Sequence, residues 1–181
     1  IALPKRFDAK REAAAGIPLG LANKAFLKPR RPEDFSVEGH LFGKTDTEAT
    51  ASYNLRPFGR ELIEVFVGGR HAADLEGEGP GAITQFAIDE LTSLYGSAPL
   101  RGMESVIETA WLQDQFSSGS YSHALPGHAA ARRSLARAED DRLFWAGEAT
   151  HGEAFSTAHG AWESGRRAAE EVLRTFTATS T

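Results

Sequence analysis

Leu143-Phe144-Trp145-Ala146-Gly147-Glu148, with the residues that follow as far as 176, decides the fold. The four apolar residues form a continuous run, as in a strand buried on both faces. Residues 142–146 are therefore predicted as a short buried strand. The run stops at Gly147-Glu148, the place where a sheet meets a ligand crevice. Ser156 is the expected N-cap of the helix that follows. Beyond it Ala158, Ala161, Trp162, Gly165, Ala168, Ala169, Val172, Leu173 and Phe176 recur at helical spacing as one apolar stripe. On the opposite face Glu163 stands four residues before Arg167, and Glu170 four before Arg174, the spacing that favours ion pairs. The first turns are small: Ala158, Gly160, Ala161, Ser164 and Gly165. A glycine inside a helix costs about 1 kcal/mol relative to alanine. Two of them suggest close approach, either by a ligand or by the sheet the helix packs on. The helix start offers free N–H groups and a positive dipole end, which suit a ligand of partial negative charge.

Outward from this unit, residues 5–15 suit a short exposed helix closed by Gly16-Ile17-Pro18. Residues 21–27 read as a strand. Residues 51–55 and 62–67 read as two strands of an antiparallel hairpin around Arg56-Pro57-Phe58-Gly59-Arg60. Residues 74–81 read as a polar loop, whose glycines lack the G-x-G-x-x-G spacing of a dinucleotide turn. Residues 82–95 carry Ile83, Phe86, Ala87, Leu91 and Leu94 at helical spacing, with Gly96 as the stop. Residues 105–111 are a further strand, 113–130 a loop and 129–138 a helix. Trp145 and Trp162 read as core residues, and Arg132, Arg133 and Arg137 as a solvated helix face balanced by Glu139, Asp140 and Asp141. The irregular alternation of strands and helices predicts an α/β or α+β architecture.

Composition narrows the partners. With 41% hydrophobic and 25% charged residues over 181 positions, the chain has an ordinary globular make-up. A formal charge of −5 argues against nucleic-acid and anionic-membrane partners. No apolar stretch approaches the ~20 residues of a membrane span. The chain has no cysteine, so neither a disulfide framework nor a thiolate metal site can form, and a cytoplasmic location is the expectation. The six histidines form no H-E-x-x-H pattern, and a metal site is not expected. Ser118, Ser120 and Ser122 do not form a nucleophile elbow. The opening Ile1-Ala2-Leu3-Pro4 reads as the interior of a longer polypeptide.

Three stretches resemble the flavin-containing amine oxidases, a family that includes monoamine oxidases, polyamine oxidases and flavin-type histone demethylases. The first is Leu143 to Thr150 with Ser156-Thr157-Ala158-His159-Gly160-Ala161-Trp162-Glu163-Ser164-Gly165 and Ala168-Ala169. The second is Trp111, Phe116, Gly119-Ser120-Tyr121-Ser122 and Pro126-Gly127, similar to the family's W…F…GSY…PG segment. A third runs from Leu3-Pro4 through Lys10 and Ala13 to Asn23-Lys24.

The resemblance implies the C-terminal part of a two-domain FAD-binding flavoprotein. Residues 1–110 would be part of a mixed-sheet substrate-binding domain. Residues 111–181 would return into the Rossmann-like FAD domain as its last strand and helix. It implies oxidation of a C–N bond of a small-molecule amine to an imine, with O2 reoxidising the flavin to give H2O2. Gly147 and Glu148 would lie by the cofactor's pyrophosphate and ribityl chain, and Thr157 and Ala158 would put backbone N–H groups near the flavin. Trp111 and Tyr121 would belong to the flavin- or substrate-facing wall, with Trp111 also contacting FAD. Thr157 stands where many members place an aromatic-cage tyrosine. Lys10 falls near the family lysine that positions a water by the flavin, and Lys24 belongs to the strand's architecture. The family's N-terminal glycine-rich loop, which holds the ADP part of FAD, is absent from these residues. The missing N-terminal half is therefore an expected partner, and the isolated chain is expected to be inactive. Two alternatives stay open: another flavoprotein of the same superfamily, such as a carotenoid desaturase or protoporphyrinogen oxidase, and a non-catalytic scaffold subunit.

Overall fold

Asn23, Ala25 and Leu27 are fully buried, whereas Lys24 and Phe26 between them are only partly so, the period-two pattern of a strand with one covered face. A computed structural model describes residues 4–178, so the chain start at Ile1-Ala2-Leu3 and the end of the Thr/Ser tail lie outside the described residues. In chain order the elements are α1 (Asp8–Ala15), β1 (Ala22–Lys28), β2 (Gly39–Phe42), β3 (Ser52–Leu55), β4 (Ile63–Gly68), α2 (Gly69–Glu78), α3 (Ala82–Tyr95), β5 (Glu104–Glu108), α4 (Ala131–Ala136) and α5 (Ala158–Ala178). The chain divides into two compact units, one of residues 21–120 and one of residues 1–20 with 121–181. Compactness thus groups Trp111 with the first unit, and residues 1–20 with the C-terminal helix.

The first unit is an α+β layer. Its five strands lie in the order β2-β3-β4-β1-β5, and every pairing is antiparallel. The mixed sheet expected above is therefore corrected to an antiparallel one. Its order needs no parallel crossover, because hairpins supply the β2/β3 and β3/β4 neighbours. Tyr53, Leu55, Ile63, Val65 and Val67 alternate into the core with Ala25 and Leu27, and meet Ala72, Leu75, Ile83, Ala87 and Leu91 of α2 and α3. Residues 74–81 are not the predicted loop. Most belong to α2, whose Ala72, Leu75 and Glu76 recur at helical spacing and are buried, and the chain leaves the helix only at Gly79. Strand β2 was not predicted. It is a four-residue edge strand with no fully buried position, so it carries little hydrophobic signal.

The second unit has a small and polar interior. Phe7, Ala13, Ile17 and Ala168 are buried with Lys10, Ser122, Arg132, Thr150 and Ser164. The predicted exposed helix at 5–15 therefore has one covered face. The predicted buried strand at 142–146 is not formed. Leu143 makes one isolated bridge to Glu139 and stays exposed, while Phe144 and Trp145 are half-buried. A strand needs neighbours for its backbone groups along its length, and among the described residues the single Leu143–Glu139 bridge is the only strand-like pairing of this run.

Helix α5 turns its small residues inward: Gly160, Ser164 and Ala168 are buried four apart. Trp162, Leu173 and Phe176 of the predicted apolar stripe are exposed, and of that stripe only Ala168 is fully buried. The small side chains allow α5 to lie close to the preceding loop, where the Gly147 N–H donates to Ser164 Oγ at 2.9 Å. The expected Glu163 to Arg167 pair is replaced. Arg167 pairs with Glu171 at 2.9 Å, and Glu163 with His151 at 2.9 Å, while Arg174 does approach Glu170 at 3.9 Å. No helix among the described residues is long and apolar enough to cross a membrane.

Candidate functional site

The turn from Gly147 to Thr157 is built around one carboxylate. Gly147 has φ 128, a conformation open only to glycine, and a Cβ there would project into open space. The next residue begins a short 3-10 turn, Glu148–Thr150, closed by the Thr150 hydroxyl donating to the Gly147 carbonyl at 2.8 Å. Glu148 Oε1 accepts the Ser122 N–H at 2.8 Å. Its Oε2 accepts the Ser122 hydroxyl and the Ser156 N–H, both at 2.7 Å. Three of roughly four lone-pair positions on the carboxylate are filled by described residues.

Arg132 closes this cluster from beneath. It is only 2% exposed, and its guanidinium donates to Ser122 Oγ at 2.7 Å and to the Ala149 carbonyl at 3.3 Å, while it sits 4.1 Å from the Phe155 ring centroid. The solvated face expected for Arg132 is therefore corrected: a buried guanidinium needs acceptors and counter-charge, and Ser122, Ala149 and Glu148 provide them. Burial lowers the Arg132 pKa from its usual value and the nearby Glu148 charge raises it. Sequence reading missed Arg132 because it groups with Arg133, Arg137 and the acidic Glu139, Asp140 and Asp141 into what looks like a solvated face. The available signal was its position in the stretch between the GSYS segment and the Gly-Glu turn.

Thr157, not Ser156, caps α5. Its Oγ1 accepts the Gly160 N–H at 3.1 Å and donates to the Ala154 carbonyl at 2.6 Å. Ser156 instead adopts φ 61 and gives its N–H to Glu148 and its hydroxyl to the Ser122 carbonyl at 2.7 Å. The first ladder bond of the helix runs from the Ala161 N–H to the Thr157 carbonyl, so the N–H groups of exposed Ala158 and His159 precede it. A Cβ on Gly160 would collide with the Ala154 carbonyl, whereas one on Gly165 would meet nothing. Close approach inside the turn thus accounts for Gly160. His151 Nδ1 accepts the N–H groups of Glu153 and Ala154 at 3.2 and 2.8 Å, which leaves Nε2 to face Glu163.

The remaining expected site residues, Lys10, Tyr121 and Trp111, have partners of their own. Lys10 gives its ammonium to the carbonyls of Ser134, Leu135 and Arg137 at the C-terminal end of α4, with Glu139 at 3.4 Å. All three of its donors are committed there. Desolvation lowers its pKa, partly offset by Glu139. Tyr121 is exposed, and its carbonyl accepts the Gly20 N–H at 2.7 Å. In the sheet unit Trp111 is exposed, and its backbone N–H donates to Asn23 Oδ1 at 3.3 Å. Asn23 also donates to Glu76 at 2.6 Å, and Lys24 pairs with Glu64 across β1 and β4. The same unit holds a cavity of about 280 Å³ lined by Leu75, Glu76, Pro80, Ile83, Glu108 and Gln113, none of them an expected site residue.

The model of the flavin containing amine oxidoreductases matches residues 2–173. This chain belongs to that family. It is 32% identical over 183 residues to lysine-specific histone demethylase 1 homolog 2 of Oryza sativa subsp. japonica, an alignment covering 94% of this chain and 23% of the relative. Against polyamine oxidase 1 of the same plant it is 28% identical over 203 residues, covering 92% and 40%. Against polyamine oxidase 2 of Arabidopsis thaliana it is 30% identical over 173 residues, covering 93% and 34%. The chain therefore spans well under half the length of these relatives.

Proposed function

We propose that this chain is part of an FAD-dependent amine oxidase that converts an amine C–N bond to an imine, with O2 as final electron acceptor and H2O2 as product. The observation that carries the reading is the family match over residues 2–173, with the Gly147 to Ala158 turn at its C-terminal end. The residues present there suit the cofactor. Gly147 leaves open space beside a backbone that no side chain crowds, and Glu148 is held by three hydrogen bonds. Ala158 adds a short, exposed side chain at the positive end of a helix.

In this reading Gly147 and Glu148 hold the pyrophosphate and ribityl portion of FAD, and the N–H groups of Thr157 and Ala158 face the flavin. When bound, FAD supplies the two-electron acceptor that no side chain of this composition provides. The chain's own part is to fix the helix start, so that its donors are aligned before charge develops opposite them. Trp111 and Tyr121 are assigned to the flavin- or substrate-facing wall, with Trp111 against FAD as well. Support for that comes from the W…F…GSY…PG order in the sequence. Residues 1–110 are read as part of the substrate-binding domain, and 111–181 as the return into a Rossmann-like FAD domain. The rest of that domain would come from the N-terminal half of the same protein.

The test is amine-dependent oxygen consumption by the full-length protein. One O2 consumed and one H2O2 formed per amine oxidised is the expected result. Amine turnover without peroxide would overturn the oxidase reading.

A further inference from the structure

We propose that Arg132 is a positioning residue for the flavin cofactor: through Ser122 and Glu148 it holds Ser156 in the left-handed conformation from which α5 starts. This rests on the function proposed above.

Ser156 is an L-residue at φ 61, a region that glycine, asparagine and aspartate tolerate and serine seldom adopts. Such a conformation persists where surrounding structure over-determines it. Both donors of Ser156 are held by one cluster, its N–H by Glu148 Oε2 and its hydroxyl by the Ser122 carbonyl. Ser122 is itself held at both ends. Its hydroxyl accepts from Arg132 Nη1 at 2.7 Å while donating to Glu148 Oε2 at 2.7 Å, and its carbonyl meets Arg132 Nη2 at 3.4 Å. The chain of donors runs from a buried cation through a hydroxyl to a carboxylate, so each bond strengthens the next. Arg132 also reaches the Ala149 carbonyl, one residue after Glu148, and packs on Phe155, one residue before Ser156. One guanidinium therefore touches the GSYS segment and both ends of the turn. A lysine keeps the charge but loses the planar fork and the stacking.

The experiment uses the full-length protein, deflavinated and titrated with FAD by flavin fluorescence, with thermal unfolding of the FAD-free protein in parallel. Arg132→Gln is expected to weaken FAD by about tenfold or more, the scale of one charge-assisted hydrogen bond. Arg132→Lys is expected to fall between it and the wild type. Adding Ser156→Asn, which favours the left-handed conformation, is expected to restore much of the FAD affinity of Arg132→Gln without restoring its melting temperature. That separation marks positioning, since a merely structural arginine would move both readouts together. Unchanged FAD affinity in Arg132→Gln and Arg132→Lys, or no recovery on adding Ser156→Asn, overturns the proposal. A wild-type protein that takes up no FAD overturns the proposed function first, and this inference with it.

Discussion

Ser122 and Glu148 share two hydrogen bonds, from the serine N–H to one carboxylate oxygen at 2.8 Å and from its hydroxyl to the other at 2.7 Å. The pair joins two of the sequence stretches that carry the family resemblance. It also demands two acceptor oxygens at one position. Glu148→Gln places an amide NH2 against one of three converging donors. The expected cost is about 1–3 kcal/mol, the penalty of an unsatisfied buried donor, read as a lower urea midpoint with an unchanged slope. A midpoint equal to the wild type would mean that the carboxylate does not organise the turn.

Thr157 is the cap of α5, so Thr157→Ala is expected to destabilise by about 1 kcal/mol and Thr157→Ser by much less. Ser156→Ala removes a different bond, the one to the Ser122 carbonyl. Thermal unfolding of the three variants distinguishes the two roles. A Ser156→Ala loss accompanied by no Thr157→Ala loss would return the cap to Ser156.

Much of the sheet unit was legible in the sequence. Strands β1, β3 and β4 alternate residues into one face, and Ile83, Ala87 and Leu91 of α3 sit four apart, so local periodicity carried the information. Helix α2 was not legible, because Gly77 and Gly79 resemble turn residues while its buried contacts come from the sheet. In the C-terminal unit the apolar run at 143–146 gave a strand signal, but among the described residues only Leu143 finds a bridge partner, Glu139. Arg132 and Ser156 were opaque for a related reason. Their roles come from contacts with Ser122 and Glu148, which helical or strand periodicity does not carry.

Glu90 and Tyr53 offer a pH test in the sheet unit. Glu90, only 5% exposed, accepts from the Tyr53 hydroxyl at 2.6 Å, from the backbone N–H groups of Lys44 and Ala51, both at 3.1 Å, and from the Thr50 hydroxyl at 3.2 Å. Burial, then the hydrogen bond to Glu90 and its charge, raises the Tyr53 pKa far above its ordinary value of 10.0. The folded state therefore keeps a proton that the unfolded chain releases above about pH 10. Stability from this group is complete below that pH and falls as pH rises past it. Tyr53→Phe is expected to lose about 1–3 kcal/mol at neutral pH and to show a shallower alkaline decline. A parallel decline in both proteins would contradict the assignment.

Lys10 spends its ammonium on three carbonyls. Lys10→Met is expected to lower the melting temperature by the same amount with and without FAD, through lost hydrogen bonds and an unpaired Glu139. A variant with wild-type stability but little amine oxidation would instead restore the water-positioning role.

The central claim is that this chain belongs to a protein that holds FAD and passes amine electrons to it. The visible spectrum of the purified full-length protein measures this directly. Flavin absorption bands that bleach when amines are added anaerobically, and return on admitting O2, are the predicted result. A protein that stays colourless after reconstitution with FAD, or flavin bands bleached only by polyenes or porphyrinogens, would contradict it.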